Sequence, residues 1–292
     1  MSIFFKILIF LVFSFQTVFA QDEVLFFQTN WGFEGTWDAF FLKSKNSGYD
    51  GVEVWLPTNP STQKEISEGL KKHNLKVIYL CGTNNALPFD ESLEAYREYL
   101  KRAILQKPYA INSHTGSDFL SFEQNSAFLN VATELSAKHN IPIFHETHRG
   151  RFSYSLPETK KYLNTNSSVQ LTLDVSHWMV VHESLLQKQQ KLLSEVLDRT
   201  SHIHARVGFE EGPQVNNPQA PEWKNTVERH LSLWEEIILK HWRDGRIATV
   251  TTEFGPPNYL PTEPFTQNPL SDQWEANVFV MKMLKERMNQ NN

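Results

Sequence analysis

The stretch IPIFHE, residues 141–146, reads as a short buried strand that stops on a carboxylate, Glu146. Placing an unpaired charge at the end of an apolar run costs several kcal/mol, so such an ending needs a reason. Four more strand-like stretches end the same way: YAINSH on His114, VQLTLD on Asp174, HIHAR around His204 and ATVTTE on Glu253. One polar strand end is an ordinary satisfied side chain. Five imply that the strand ends converge, and a parallel barrel whose strands all open on one face gives that convergence.

Working outward, strand and helix signals alternate along the chain. The strand-like stretches cover residues 23–29, 49–56, 75–81, 109–114, 141–146, 169–174, 202–207 and 247–254. Helices are expected after them, among them residues 118–139, 157–163, 185–197, 226–242 and 271–288. Eight such units without a Pro- or Ser-rich linker predict a single-domain α/β fold, a (β/α)8 TIM barrel over residues 21–292. A doubly wound sheet is the alternative, but it rarely needs eight consecutive units. Two segments, residues 208–223 and 254–270, are long and rich in Pro, Gly and Asn, as substrate lids tend to be.

Residues 1–20 carry the pattern of a secretory signal peptide: Lys6, an apolar run at residues 7–15, and Val18-Phe19-Ala20 before Gln21. That run is well short of the roughly 20 residues that span a bilayer. The expectation is a periplasmic or secreted mature chain, with no membrane contact after cleavage. The full chain has a net charge of −5 and no basic run, which argues against nucleic acid as a partner. Cys81 is the only cysteine, so stability must come from the core.

Side chains alternate faces along a strand, so parity decides which residues can cooperate. Phe144, Glu146 and His148 share a face; so do His202, His204 and Arg206; so do Thr249, Thr251 and Glu253. Asn112 pairs with His114, and Gly51 and Glu53 with Trp55. Carboxylates and imidazoles without a thiolate suit Mn²⁺, Mg²⁺, Co²⁺ or Zn²⁺. In Asp174-Val175-Ser176-His177, a spacing of three returns His177 to the side of Asp174 as the chain turns, where it reads either as a site partner or as a solvent histidine.

LTLDVSHW, the HIHAR strand, and the glutamates of IPIFHE and TVTTE resemble the sugar isomerase/epimerase superfamily, the xylose isomerase-like TIM barrels, over essentially residues 21–292. The resemblance implies one divalent metal ion held by Glu146, Asp174, His204 and Glu253. His204 rather than His202 is the expected ligand, because it lies later in the strand and Arg206 sits where the group often carries a lysine. It implies Glu146 and Glu253 as catalytic proton carriers and a metal-stabilised enediolate formed by proton abstraction beside a carbonyl. The AP endonuclease branch of the group also needs a histidine after the third strand and an Asp-x-His pair after the seventh. This chain has Cys81-Gly82 and a histidine-free segment there.

Substrate contacts are expected from Glu53, His114, His148, Arg149, His177, His202 and Arg206, with Trp31 and Trp55 as stacking faces for a small-molecule sugar or sugar derivative. The first functional expectation is a metal-dependent sugar isomerase or epimerase. The second is a lyase or hydratase on oxidised (3-keto) glycosides, and the third a non-catalytic carbohydrate-binding barrel. The sequence is silent on oligomeric state, although related barrels often dimerise.

Overall fold

A computed structural model describes residues 22–290. The signal-peptide pattern lies outside these residues. Among the described residues, no helix is long and apolar enough to cross a membrane.

Eight parallel strands close into a barrel in sequence order, with the last pairing the first. They are β1 (Val24–Thr29), β2 (Gly51–Trp55), β3 (Lys76–Gly82), β4 (Ala110–His114), β5 (Ile143–Glu146), β6 (Leu171–Leu173), β7 (Thr200–Ala205) and β8 (Ala248–Thr252). Around them run α1 (Trp37–Asn46), α2 (Pro60–His73), α3 (Phe89–Leu105), α4 (Phe122–His139), α5 (Leu156–Thr165), α6 (Val175–Val181), α7 (Gln190–Leu197), α8 (Lys224–Arg243) and α9 (Gln273–Asn289). The strands are short and nearly all buried, as parallel strands covered on both faces must be. The fold is the expected one.

Helix α7 starts at Gln190 rather than 185, after a left-handed Leu186 and a 3₁₀ turn at Gln187–Gln189, and two further differences have local reasons. Helix α4 starts at Phe122, not 118, because Ser121 and Gln124 form a reciprocal capping box there. The Asn125 amide holds the preceding turn on the Ser117 backbone. After β6, Asp174 does not enter a loop. Its side chain accepts the Ser176 N–H and caps α6, a seven-residue helix that the sequence reading left out.

The barrel interior is layered. Leu25, Phe27, Ile78, Ala110 and Phe144 form an apolar plug. Gly51 faces it, since a Cβ there would come within 2.5 Å of the Phe27 ring. His202 lies on the plug, edge-on to Phe27 and stacked on Phe144. Glu53 and His204 come next, and Glu146 and Glu253 lie at the C-terminal ends of β5 and β8. At the rim, Gln214 bonds both the N–H and the C=O of Gly255, at 2.7 and 3.1 Å, and so stitches the two long segments together.

His230 anchors the start of the first long segment. Its Nδ1 donates to the Thr226 carbonyl at 2.8 Å, and its Nε2 accepts the Gly208 N–H at 3.2 Å. Burial pushes this imidazole down to about 4 from its ordinary 6.5. The unfolded chain therefore takes up a proton at a pH where the folded chain resists it. Stability from this group is complete above pH 6.5 and is lost as pH falls toward 4, by about 3 kcal/mol. Urea melts between pH 7.5 and 4.5 should show a shallower loss in a His230→Gln variant than in the parent, and equal slopes would refute this role.

Candidate active site

The C-terminal ends of β2, β4, β5, β7 and β8 bring one polar cluster into the barrel mouth. Glu53 is wholly buried at its base. Its Oε1 accepts from His204 Nε2 and from Asn112 Nδ2, both at 2.9 Å. Its Oε2 meets His202 Nε2 at 3.1 Å and accepts from the Thr251 hydroxyl. Asn112 Nδ2 also donates to Glu146 Oε2 at 3.0 Å, and His114 Nε2 reaches the same oxygen at 2.8 Å.

Above this base, His204 Nδ1 lies 2.8 Å from Glu253 Oε2 and 3.4 Å from Glu146 Oε2. Despite these distances, His204 Nδ1, Glu253 Oε2 and Glu146 Oε1 are buried without a hydrogen bond. Leaving one buried polar atom unsatisfied costs about 1–3 kcal/mol, more if it is charged. One candidate ligand atom from each of the three residues lies within 4.8 Å of the others, a donor set and spacing that a divalent ion satisfies. Glu146, His204 and Glu253 thus fit a metal site by geometry and by chemistry.

The electrostatics follow from this packing. Burial alone would raise the Glu53 carboxyl, but His204 and His202 hold it well below the usual carboxylate range. Burial is likewise outweighed at Glu146, where His114 and His204 hold the carboxyl down. Burial would lower His204, yet Glu253, Glu53 and Glu146 hold it well above an ordinary imidazole. Glu53 and Glu146 are thus held ionised and His204 protonated, so a cation here would take the place of the His204 Nδ1 proton.

Asp174 lies beside this set, but both its oxygens are engaged. Oδ1 accepts the N–H and hydroxyl of Ser176, at 3.0 and 2.6 Å, and Oδ2 accepts from Arg206 Nη2. Arg206, almost fully buried, also donates to His177 Nε2 at 2.9 Å and lies under the Tyr259 ring at 4.6 Å. Burial opposes its charge, but Asp174 and Glu253 push the guanidinium above its ordinary value. The structure therefore brings together three of the four expected ligands and ties the fourth to an arginine.

A second group, Glu146, His148 and His177, also has ligand atoms within 4.8 Å of one another. Arg206 works against its use. A guanidinium only donates, so His177 Nε2 accepts and the proton sits on Nδ1. Burial and the neighbouring His148 hold His177 neutral, well below the usual range. Its unpartnered Nδ1–H is then a buried donor beside the His148 ring, at 3.9 Å between centroids, rather than a ligand.

The remaining expected contacts divide by depth. Trp31 and Trp55 are 38% and 46% exposed at the mouth, where a substrate can touch them. Trp55 is edge-on to His114, which is tilted against His148, and Arg149 lies over Tyr259 at 5.4 Å. Glu53 and His202, expected as substrate contacts, lie deeper: both are 0% exposed, and their polar atoms are hydrogen-bonded to each other and to His204, Thr249, Thr251 and Asn112. Asn112, Thr251 and Tyr259 had not been singled out as site residues. Strand parity pointed to the first two, and Tyr259 lies on a segment already suspected as a lid.

Three solved structures illustrate the likeness. A 3-keto-D-glucoside 4-epimerase from E. coli superposes with a TM-score of 0.63 at 15% identity, over 90% of this chain and 100% of that one. A D-allulose 3-epimerase from Methylomonas sp., in complex with D-allulose, gives 0.63 at 14% identity, over 91% and 97%. A probable 3-DHS dehydratase from Bacillus anthracis, involved in petrobactin synthesis, gives 0.55 at 15%, over 90% and 98%. At these identities the likeness shows the fold alone. No curated protein matches the sequence. The family profile for xylose isomerase-like TIM barrels matches residues 41–233, most of the barrel, and the chain belongs to that family.

Proposed function

We propose that this protein is a divalent-metal-dependent isomerase or epimerase acting on a free sugar or sugar derivative. The observation that carries the reading is the cluster of Glu146, His204 and Glu253 at the mouth of the barrel, whose candidate ligand atoms lie within 4.8 Å of one another and each of which buries a polar atom without a hydrogen bond. A carbohydrate-binding barrel without catalysis gives no reason to bury them so. The similar 3-keto-D-glucoside 4-epimerase and D-allulose 3-epimerase act on sugars, which supports the substrate class.

Glu146, His204 and Glu253 would hold Mn²⁺, Mg²⁺, Co²⁺ or Zn²⁺, which would supply an electrophile to offset the charge left when a proton leaves the carbon beside a carbonyl. Asp174 Oδ2 accepts one hydrogen bond, from Arg206, which leaves it a lone pair for an ion. The two glutamates are the proton carriers: both are buried at the ends of β5 and β8, and Glu146 is held ionised by His114 and His204. His177, with Arg206 fixing its tautomer, offers Nδ1–H to a substrate oxygen. Trp31, Trp55 and Tyr259 provide apolar walls for a sugar ring. The reading includes export, in keeping with the pattern at residues 1–20, and a small molecule as the partner rather than nucleic acid.

A second reading is favoured by the cluster of N–H donors after Glu146. His148 is pushed down to about 3 by burial and sits beside His177. Together with Arg149, these N–H groups can hydrogen-bond the charge on a departing oxygen, which makes a lyase or hydratase on 3-keto glycosides the alternative. The likeness to a dehydratase points the same way.

Product analysis in D₂O by NMR separates the two. With metal added, a panel of ketoses and 3-keto-glycosides should show deuterium at the carbon beside the carbonyl with the carbon skeleton and its links retained. Release of an aglycone would instead establish the lyase, and neither outcome with metal bound would end both readings. In the same assay, Glu253→Gln should cut deuterium incorporation by about a thousandfold or more while substrate binding persists. Unchanged incorporation would remove Glu253 from the chemistry.

A further inference from the structure

Glu53 was expected to touch substrate but lies wholly buried. Its place under His204 calls for another explanation. Its Oε1 takes two hydrogen bonds, one from Asn112 Nδ2 and one from His204 Nε2, both at 2.9 Å. Asn112 Nδ2 also lies 3.0 Å from His204 Nε2 and 3.0 Å from Glu146 Oε2. An amide nitrogen has two hydrogens, and two carboxylate oxygens use them. The contact between Asn112 and His204 is then not a hydrogen bond, and His204 Nε2 must itself be the donor to Glu53. Nδ1, on the other side of the ring, faces Glu253 and Glu146 with no hydrogen-bond partner.

We infer that Glu53 is a positioning residue. It holds a proton of His204 on Nε2 and fixes the plane of the ring, so that Nδ1 faces the ion site shared with Glu146 and Glu253 and is the nitrogen that gives up its proton to a cation. This rests on the proposed metal site. A carboxylate bonded to the far nitrogen of a ligating imidazole both orients the ring and raises its basicity. Thr251 and His202 steady the opposite oxygen of Glu53, with His202 Nδ1 in turn 2.8 Å from the Thr249 hydroxyl. The chain of contacts thus runs from β8 through Glu53 on β2 to the ligand on β7.

Glu53→Gln tests the inference without removing the packing. Its carbonyl can still accept from His204 and Asn112. Its NH₂ can donate to His202, in the tautomer that donates to Thr249, and to Thr251. What is lost is the charge on His204 Nε2. Zn²⁺ affinity would be measured by competition with a chromophoric chelator for the parent and the variant, alongside urea melts of both metal-free proteins.

The expected result is a 10- to 100-fold weaker Zn²⁺ affinity in Glu53→Gln, with a cooperative melt retained. Equal affinity would overturn the role of Glu53 and leave the metal site standing. A parent that binds no Zn²⁺ would overturn both, and the parent's own titration tells these two failures apart. Should the variant fail to fold, ¹⁵N shifts of His204 in the Zn²⁺-loaded parent decide: a protonated Nε2 and a coordinated Nδ1 uphold the inference, and the reverse refutes it.

Discussion

The structure depends on mutual neutralisation inside a space that excludes water. Glu53, Glu146, Asp174 and Glu253 project into one end of a barrel, all of them buried. Each buried carboxylate alone would be expelled or protonated. Here His204 stands among three of them, and Arg206 holds the fourth while also approaching Glu253 at 3.6 Å. Removing one member strands the others, so the cluster behaves as a unit rather than a sum of pairs.

The barrel supplies the geometry that makes such a cluster feasible. The apolar plug of Leu25, Phe27, Ile78, Ala110 and Phe144 closes one end, so the polar layers above it are open only at the mouth. Each layer supports the next: His202 on the plug, Glu53 on His202, His204 on Glu53, and the carboxylates of Glu146 and Glu253 beside His204. Rigid strand ends hold these atoms where loops would let them drift. The two long segments, stitched by Gln214 and carrying Tyr259, cover the arginines at the rim.

Much of this was legible in the sequence, because the relevant periods are short. Alternation along strands put Glu146, His204 and Glu253 on inward faces, and the eight βα signals led to the closed barrel. Depth was not legible. Period-two alternation says which face a residue takes but not how far down the barrel it lies, so Glu53 and His202 were read as substrate contacts. Helix α6 was missed because seven residues give too few turns for a period to emerge, and the Asp174 cap looked like a turn. Arg206 sharing Asp174 depends on a contact 32 residues apart, which no local pattern encodes.

The central claim is that Glu146, His204 and Glu253 surround a divalent cation. Anomalous diffraction from crystals grown with Mn²⁺ tests it most directly. The account predicts one strong peak within bonding distance of His204 Nδ1 and of an oxygen from each of the two glutamates. No peak there, or one seated instead between His148 and His177, would contradict it.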